Sequence, residues 1–451
     1  MDQDVTHLLF HLSKRILRER KLMPIINDMK RVLMVAYHFP PLAGSSGIQR
    51  TLRFVQQLPD LGWQTLILSA HPRAYERTSS DLNSSIPEGT VVRRAFALDT
   101  ARHLAIAGRY MHAMARPDRW ANWKIAAVHE GMRMIREFNP DIIWSTYPIA
   151  TAHLIGAELA RRSGVAWIAD FRDPMAQVGY PTDPLTWQCF KNIEQHAMSH
   201  AAASVFTSSG AARMYRERYP EAAGRIKVIE NGYDEESFIE AERCALPLEC
   251  LNQGCVTLLH SGIVYPHERN PEQLFIALGR LKVTGKIWPG QLKLRFRAPE
   301  HGQLLQQLAV QYGIEQFIEI LAPIAYQDAL HEMLCSDALL VMQGAGCNQQ
   351  IPAKIYEYLR ARRPILCLSD AAGDTAALLR QAGMDAMADL DSADQIEKLL
   401  PLFIDAVRCK TAALPCRDMV RNAARHRRTQ ELAQLMNALS RSTLSVSKKM
   451  R

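Results

Sequence analysis

Two stretches set basic side chains, one of them with a carboxylate, where they could meet an anion. In "CNQQIPAKIYEYLRARRPIL" (347–366), Pro352 suits the first turn of a helix, so Lys354 and Glu357, three residues apart, share a face about one turn in. They could hold a phosphate and a pair of sugar hydroxyls; the plainer alternative is a surface ion pair at that spacing. In "LLHSGIVYPHERNPEQLFIAL" (258–278) a strand, the turn at Gly262 and a loop carry His267 and Arg269 ahead of a helix. A guanidinium there can grip a diphosphate with two parallel hydrogen bonds, or stay a solvated loop arginine.

Two further stretches lie nearer the N-terminus. "YHFPPLAGSSGIQRTLRFVQQL" (37–58) stiffens its approach with Pro40 and Pro41 and then bares Gly44, Ser45, Ser46 and Gly47 before an amphipathic run. Backbone N–H groups at such a helix start attract an anion, although glycines placed for close packing would look the same. The stretch is neither GxGxxG nor a loop ending in GK[ST], so neither a dinucleotide fold nor an ATPase is indicated. "IADFRDP" (168–174) ends an apolar run with Asp170, Arg172 and Asp173, charges that need pairing with each other or with substrate.

The elements that must position these groups alternate. Strand-like runs at 31–37, 65–69, 91–98, 141–146, 165–171, 203–208 and 226–230 are separated by helical periodicity, including Ile48, Leu52, Val55, Leu58 and Leu61 with Gly62 as a stop. Residues 100–138 read as one long buried helix. After "ENGYDEESF" the rhythm falters for about twenty residues and resumes at 256–262, 292–298, 317–323, 338–343 and 364–369. This is an α/β chain of two doubly wound domains. Its expected divisions are an N-terminal extension (1–29), domains at 30–235 and 240–415, and a closing helix at 420–440, with 441–451 disordered. Ligands of such sheets sit at the carboxyl ends of the strands where strand order reverses, and with two domains the cleft between them is the expected site.

Length and composition agree: 451 residues exceed one core, 48% are hydrophobic and 22% charged. The net charge of +8 favours anionic partners without selecting one. Nine cysteines without a CxxC pair suit a reducing compartment. No apolar run is long enough to span a membrane. Residues 7–23 mix an apolar stripe with five Lys or Arg and read either as a basic helix for an anionic membrane face or as an extension upstream of the first strand. "DLD" at Asp389–Asp391 has the look of a metal motif, but Ser392 or Asp391 fits better as a helix cap. No histidine pair has zinc spacing, so no metal or cofactor is expected, and no aromatic-rich module supports nucleic acid as a partner.

"HFPPLAGSSG", "STYPIATAHLIG", "ADFRDP", "HSGIVY" and "IPAKIYEYLRARRPIL", in that order, resemble the family 4 glycosyltransferases, over roughly residues 30–440. The resemblance implies a GT-B architecture: two Rossmann-like domains facing across a cleft, the first on the acceptor side and the second for a nucleotide-sugar donor, with the last helix crossing back to the first domain. It implies metal-independent transfer with retention, to a saccharide or lipid-linked acceptor, in the cytoplasm with peripheral contact at the inner membrane face left open. By motif position, Gly47 and Ser46 approach the donor phosphates beside Gly262, while Arg269 and Lys354 neutralise the diphosphate and Glu357 takes the ribose. Asp170 and Tyr147 join the catalytic set, and Arg172 and Asp173 the acceptor side. Gln349 stands where the signature's first glutamate would be, Ile263 where an arginine often follows the glycine, and Tyr147 where a histidine often sits. A nucleotide-sugar epimerase and a silent nucleotide- or glycan-binding relative are the alternatives.

Overall fold

The computed structural model describes residues 29–44, 47–244 and 250–449, with side chains described as far as Ser440 except at Cys244. The basic stretch 7–23 and Ser46 therefore lie outside the described residues. Two compact units emerge, one of residues 1–171, 175–204 and 432–451, the other of 172–174 and 205–431.

One parallel sheet has strands β1 (Lys30–Val35), β2 (Trp63–Ala70), β3 (Val91–Ala95), β4 (Ile142–Thr146), β5 (Ala166–Arg172), β6 (Ala203–Phe206) and β7 (Ile226–Val228), in the order 3-2-1-4-5-6-7. The other has β8 (Val256–Ser261), β9 (Leu292–Arg297), β10 (Ile318–Leu321), β11 (Ala338–Gln343), β12 (Ile365–Ser369) and β13 (Met387–Ala388), in the order 10-9-8-11-12-13. Both are doubly wound. Order reverses between β1 and β4 in the first and between β8 and β11 in the second, which marks the two ligand edges.

Burial explains why the strands were readable. In the second sheet Leu258, Leu340, Leu366 and Leu368 enter one apolar cluster, while their neighbours Leu259, Leu339, Val341, Ile365 and Cys367 enter another on the opposite face. Strands covered on both sides are apolar at most positions. Strand β9 alternates instead: Leu292, Leu294 and Phe296 are buried, while Arg295 and Arg297 reach Glu332 on the helix Tyr326–Cys335 at 3.1 and 2.6 Å.

Some expectations need correction. Residues 100–138 are broken into a short helix Thr100–His103, a 3₁₀ turn His112–Ala115 and a helix Trp123–Phe138. Pro117 cannot occupy a helix interior, and the backbone at Ala107 and Gly108 takes positive φ. The faltering stretch after residue 234 holds a helix, Glu235–Cys244, and β13 was not anticipated. The last helix, Arg425–Lys449, continues past residue 440, and Lys30 Nζ donates to Asn437 Oδ1 and Ser440 Oγ on it, both at 2.9 Å. No described helix is long and apolar enough to cross a membrane.

Candidate functional site

At the second sheet's reversal point, β8 ends at Ser261 and the chain turns at Gly262, whose φ of +108° suits glycine. The loop then returns to β11: Gly344 N–H donates to the Glu268 carbonyl at 2.6 Å. A side chain at residue 344 would press on that carbonyl at 3.2 Å, so the close approach needs glycine. Arg269 follows, its guanidinium donating to the Ile263 carbonyl at 3.3 Å and lying over the Tyr265 ring at 5.1 Å.

The helix Lys354–Ala361 starts beside this loop. It begins at Lys354 itself, so Lys354 and Glu357 fall in its first turn rather than one turn further in, with Pro352 just ahead of it. Ser261 N–H donates to Tyr358 Oη at 2.9 Å, tying helix to strand end. Lys354 Nζ lies 3.0 Å from His260 Nε2, and a Cβ added at Gly262 would stand 3.5 Å from it. Glu357 Oε1 accepts from Tyr326 Oη at 2.8 Å.

Three sequence-predicted groups, Gly262, Arg269 and Lys354, thus converge on one reversal point, with Glu357 a turn away. Electrostatics follow from that crowding. Burial, and then the positive charge of Arg269, hold the Lys354 ammonium well below its usual pKa, against the pull of Glu357. Burial raises the Glu357 carboxyl, opposed by its bond from Tyr326 and by the charges of Arg425 and Lys354. Neither Arg269 nor Lys354 forms an ion pair among the described residues. Two unpaired cations that repel each other are a receptacle for a polyanion.

Gln349 lies in the same unit, and its carbonyl accepts from Ser208 Oγ. Arg172 has a left-handed backbone (φ 62°), and its carbonyl accepts from Thr207 N–H and Oγ1, both at 2.9 Å. Asp173 is near enough to Cys347 to join burial and Glu268 in raising that thiol to about 11.

In the first unit, Gly47 is buried at the start of the helix Gly47–Gln57, behind Gly44 with its φ of +79°. The carboxylate of Asp170 is wholly buried. Its partner is Arg50, one turn into that helix: Nη2 to Oδ1 at 2.9 Å and Nε to Oδ2 at 3.1 Å. Thr146 Oγ1 adds a bond at 2.9 Å. Tyr147 is buried at the end of β4, its N–H bonded to the Asp170 carbonyl at 3.0 Å and its ring edge-on to Phe190.

Beside the β1/β4 reversal lies a cavity of about 360 Å³ lined by Tyr110, His112, Arg116, Arg119, Trp120 and Asp183, among others. Its wall is joined to the sheet edge through Trp120, whose Nε1 donates to the Ala74 carbonyl and whose ring lies 4.6 Å from Tyr37. Asp118 accepts from Thr151 N–H at 2.8 Å, at the start of the helix that follows β4. Sequence reading missed this cavity, having placed its residues 110–120 inside a helix, and it missed His260, Tyr326 and Arg50. For His260 the one signal was a polar group amid apolar residues, in "VTLLHSG".

Residues 46–232 match a family described as a glycosyl transferase 4-like domain. Residues 46–232 thus carry a glycosyl transferase 4-like domain. Solved structures share its GT-B fold over nearly its whole length at low identity. A trehalose 6-phosphate synthase from Burkholderia multivorans has a TM-score of 0.61 at 11% identity, covering 92% of this chain and 100% of that one. Sucrose-phosphate synthase from Thermosynechococcus elongatus gives 0.58 at 12%, covering 93% and 99%. HepE of Anabaena, solved with UDP and glucose, gives 0.55 at 13%, covering 93% and 100%. No curated protein sequence matches the chain.

Proposed function

We propose that this glycosyltransferase moves a sugar from a nucleotide diphosphate carrier to a saccharide or lipid-linked acceptor, with retention of configuration and without a divalent metal. One observation carries the reading: Arg269 and Lys354, neither in an ion pair among the described residues, meet at the reversal point of the second sheet. Breaking the glycosyl–diphosphate bond builds negative charge on the leaving oxygen, and preorganised cations in a partly desolvated site stabilise it as it forms. Two such side chains take the part of a metal ion. That HepE binds UDP and glucose supports the choice of donor class.

In this reading residues 240–415 serve the donor and 30–235 the acceptor, with 420–440 as the closing helix. Gly262 lets the donor phosphates approach the backbone, Glu357 meets the ribose with Tyr326 steadying it, and Gln349 stands on the donor side. Asp170 acts through Arg50, pinning the helix that starts at Gly47. Tyr147 faces the transfer, and Arg172 and Asp173 belong to the acceptor side. The cavity at Trp120, with aromatic faces and hydrogen-bonding side chains, suits a saccharide. Cytoplasmic location rests on the scattered cysteines without a CxxC pair, and peripheral contact with the inner membrane face on the basic stretch 7–23 of the sequence.

The test is nucleotide release and product formation across UDP- and GDP-sugars, with the anomeric proton of the product read by NMR. Lys354→Ala and Arg269→Ala should each lower kcat by about 10²-fold or more, the scale of removing one transition-state donor, with unchanged circular dichroism. Wild-type turnover by both variants would remove the assignment.

A further inference from the structure

We propose that His260 is a positioning residue: through Nε2 it accepts a hydrogen bond from the Lys354 ammonium and holds that lysine at the β8/β11 reversal point. The inference rests on the donor-site reading above and deepens it. His260 is entirely buried at the penultimate position of β8. Its Nδ1 lies 3.1 Å from the Leu340 carbonyl on β11. A carbonyl only accepts, so Nδ1 carries the ring proton, and Nε2 is left with a lone pair. That lone pair meets Lys354 Nζ at 3.0 Å.

The strand beside β8 therefore fixes the imidazole tautomer, and the tautomer fixes the lysine. A lysine on its four-carbon stem loses about 2 kcal/mol of rotamer freedom when it is immobilised. One N–H bonded to a rigid ring supplies part of that ordering before any ligand arrives, and leaves two N–H groups for phosphate oxygens. The acceptor also stays an acceptor: burial, then the charges of Lys354 and Arg269, hold His260 well below its usual titration range, against the pull of the Leu340 and Ile263 carbonyls. Residue 260 also touches the apolar interior, its ring 6.0 Å from that of Phe296, so the test separates hydrogen bonding from filling space.

Inorganic pyrophosphate is the probe, since it tests the diphosphate site whatever the base and sugar. Its affinity for the full chain is measured by titration calorimetry for wild type, His260→Leu, His260→Gln, Lys354→Met and the double variant His260→Leu/Lys354→Met. Lys354→Met should weaken binding roughly tenfold or more and His260→Leu about fivefold, as for a lost charge-assisted bond. His260→Gln, whose amide can both donate to Leu340 and accept from Lys354, should stay within about twofold of wild type. In the Lys354→Met background, His260→Leu should add nothing. Wild-type affinity of Lys354→Met would overturn the donor-site reading itself. Loss in Lys354→Met combined with wild-type affinity of His260→Leu, or with equal loss in the Leu and Gln variants, would overturn only the positioning role. Should the Leu variant not fold, nitrogen-15 NMR of the wild-type imidazoles decides: an unprotonated Nε2 at His260 supports the proposal and an Nε2–H overturns it.

Discussion

His153 and His260 are both buried imidazoles, yet their surroundings differ in what they leave unsatisfied. His260 has a partner on each nitrogen, whereas His153 meets Ser145 Oγ at 2.8 Å through Nδ1 and has no partner for Nε2 among the described residues. Burial lowers its pKa from 6.5 to about 4, with the Asp170 charge opposing. The sign follows from which state takes the proton first. Above pH 6.5 both folded and unfolded chains carry a neutral ring; between 6.5 and about 4 only the unfolded ring protonates, so stability falls as the pH drops through that window. At 1.36 kcal/mol per pH unit the loss reaches the order of 3 kcal/mol. His153→Gln should remove that part of the decline, read from denaturant unfolding at pH 7 and pH 4.5. An acid limb identical to wild type would mean that His153 already titrates normally in the folded chain. From sequence, Lys354, Arg269, Gly262 and Glu357 were nameable because their types and local spacing carry the chemistry. The groups that hold things in place were not. His260 lies 94 residues from Lys354, Arg50 lies 120 from Asp170, and Tyr326 lies 31 from Glu357. Such pairings exist only once the sheets have formed.

At the scale of elements, strands were legible where both faces are covered, since most of their residues are then apolar. The 100–122 stretch was not, because Trp120, half-buried, is held by Tyr37 and Ala74 without helical periodicity of its own. The helix Thr151–Ser163 shows a constraint that propensity hides. Its Gly156 costs about 1 kcal/mol of helix propensity relative to alanine. A Cβ there would stand 2.7 Å from Trp167 Nε1 and 2.8 Å from Ser145 Oγ, inside the hydrogen bond those two atoms make with each other. Neither side chain can give way without breaking its bond, and Ser145 also holds His153. Gly156→Ala should therefore destabilise by roughly 1–3 kcal/mol net, the range for overpacking a filled site, in spite of the better helix former. A stabilised variant in chemical denaturation would show that the helix can slide off β4 and β5 at little cost.

At the scale of the whole molecule, the two unpaired cations and the net charge of +8 link stability to ligand. Lys354 and Arg269 repel each other in the free protein, and a diphosphate placed between them relieves that repulsion only in the folded state. A ligand at 100 times its Kd then adds about 2.7 kcal/mol by mass action. Spread over the unfolding entropy of all 451 residues, this raises the melting midpoint by about 3 °C. If the unit of residues 172–174 and 205–431 melts by itself, the same free energy acts on about half the entropy and the shift approaches 6 °C. Calorimetry with UDP, GDP and ADP in turn, each with EDTA and with magnesium, reads both quantities at once. The expected outcome is an upward shift with at least one nucleoside diphosphate, equal in the two buffers, because Arg269 and Lys354 supply the charge that a metal would. A shift seen only with magnesium would end the metal-independent reading. No shift with any of the three would deny the second sheet its donor.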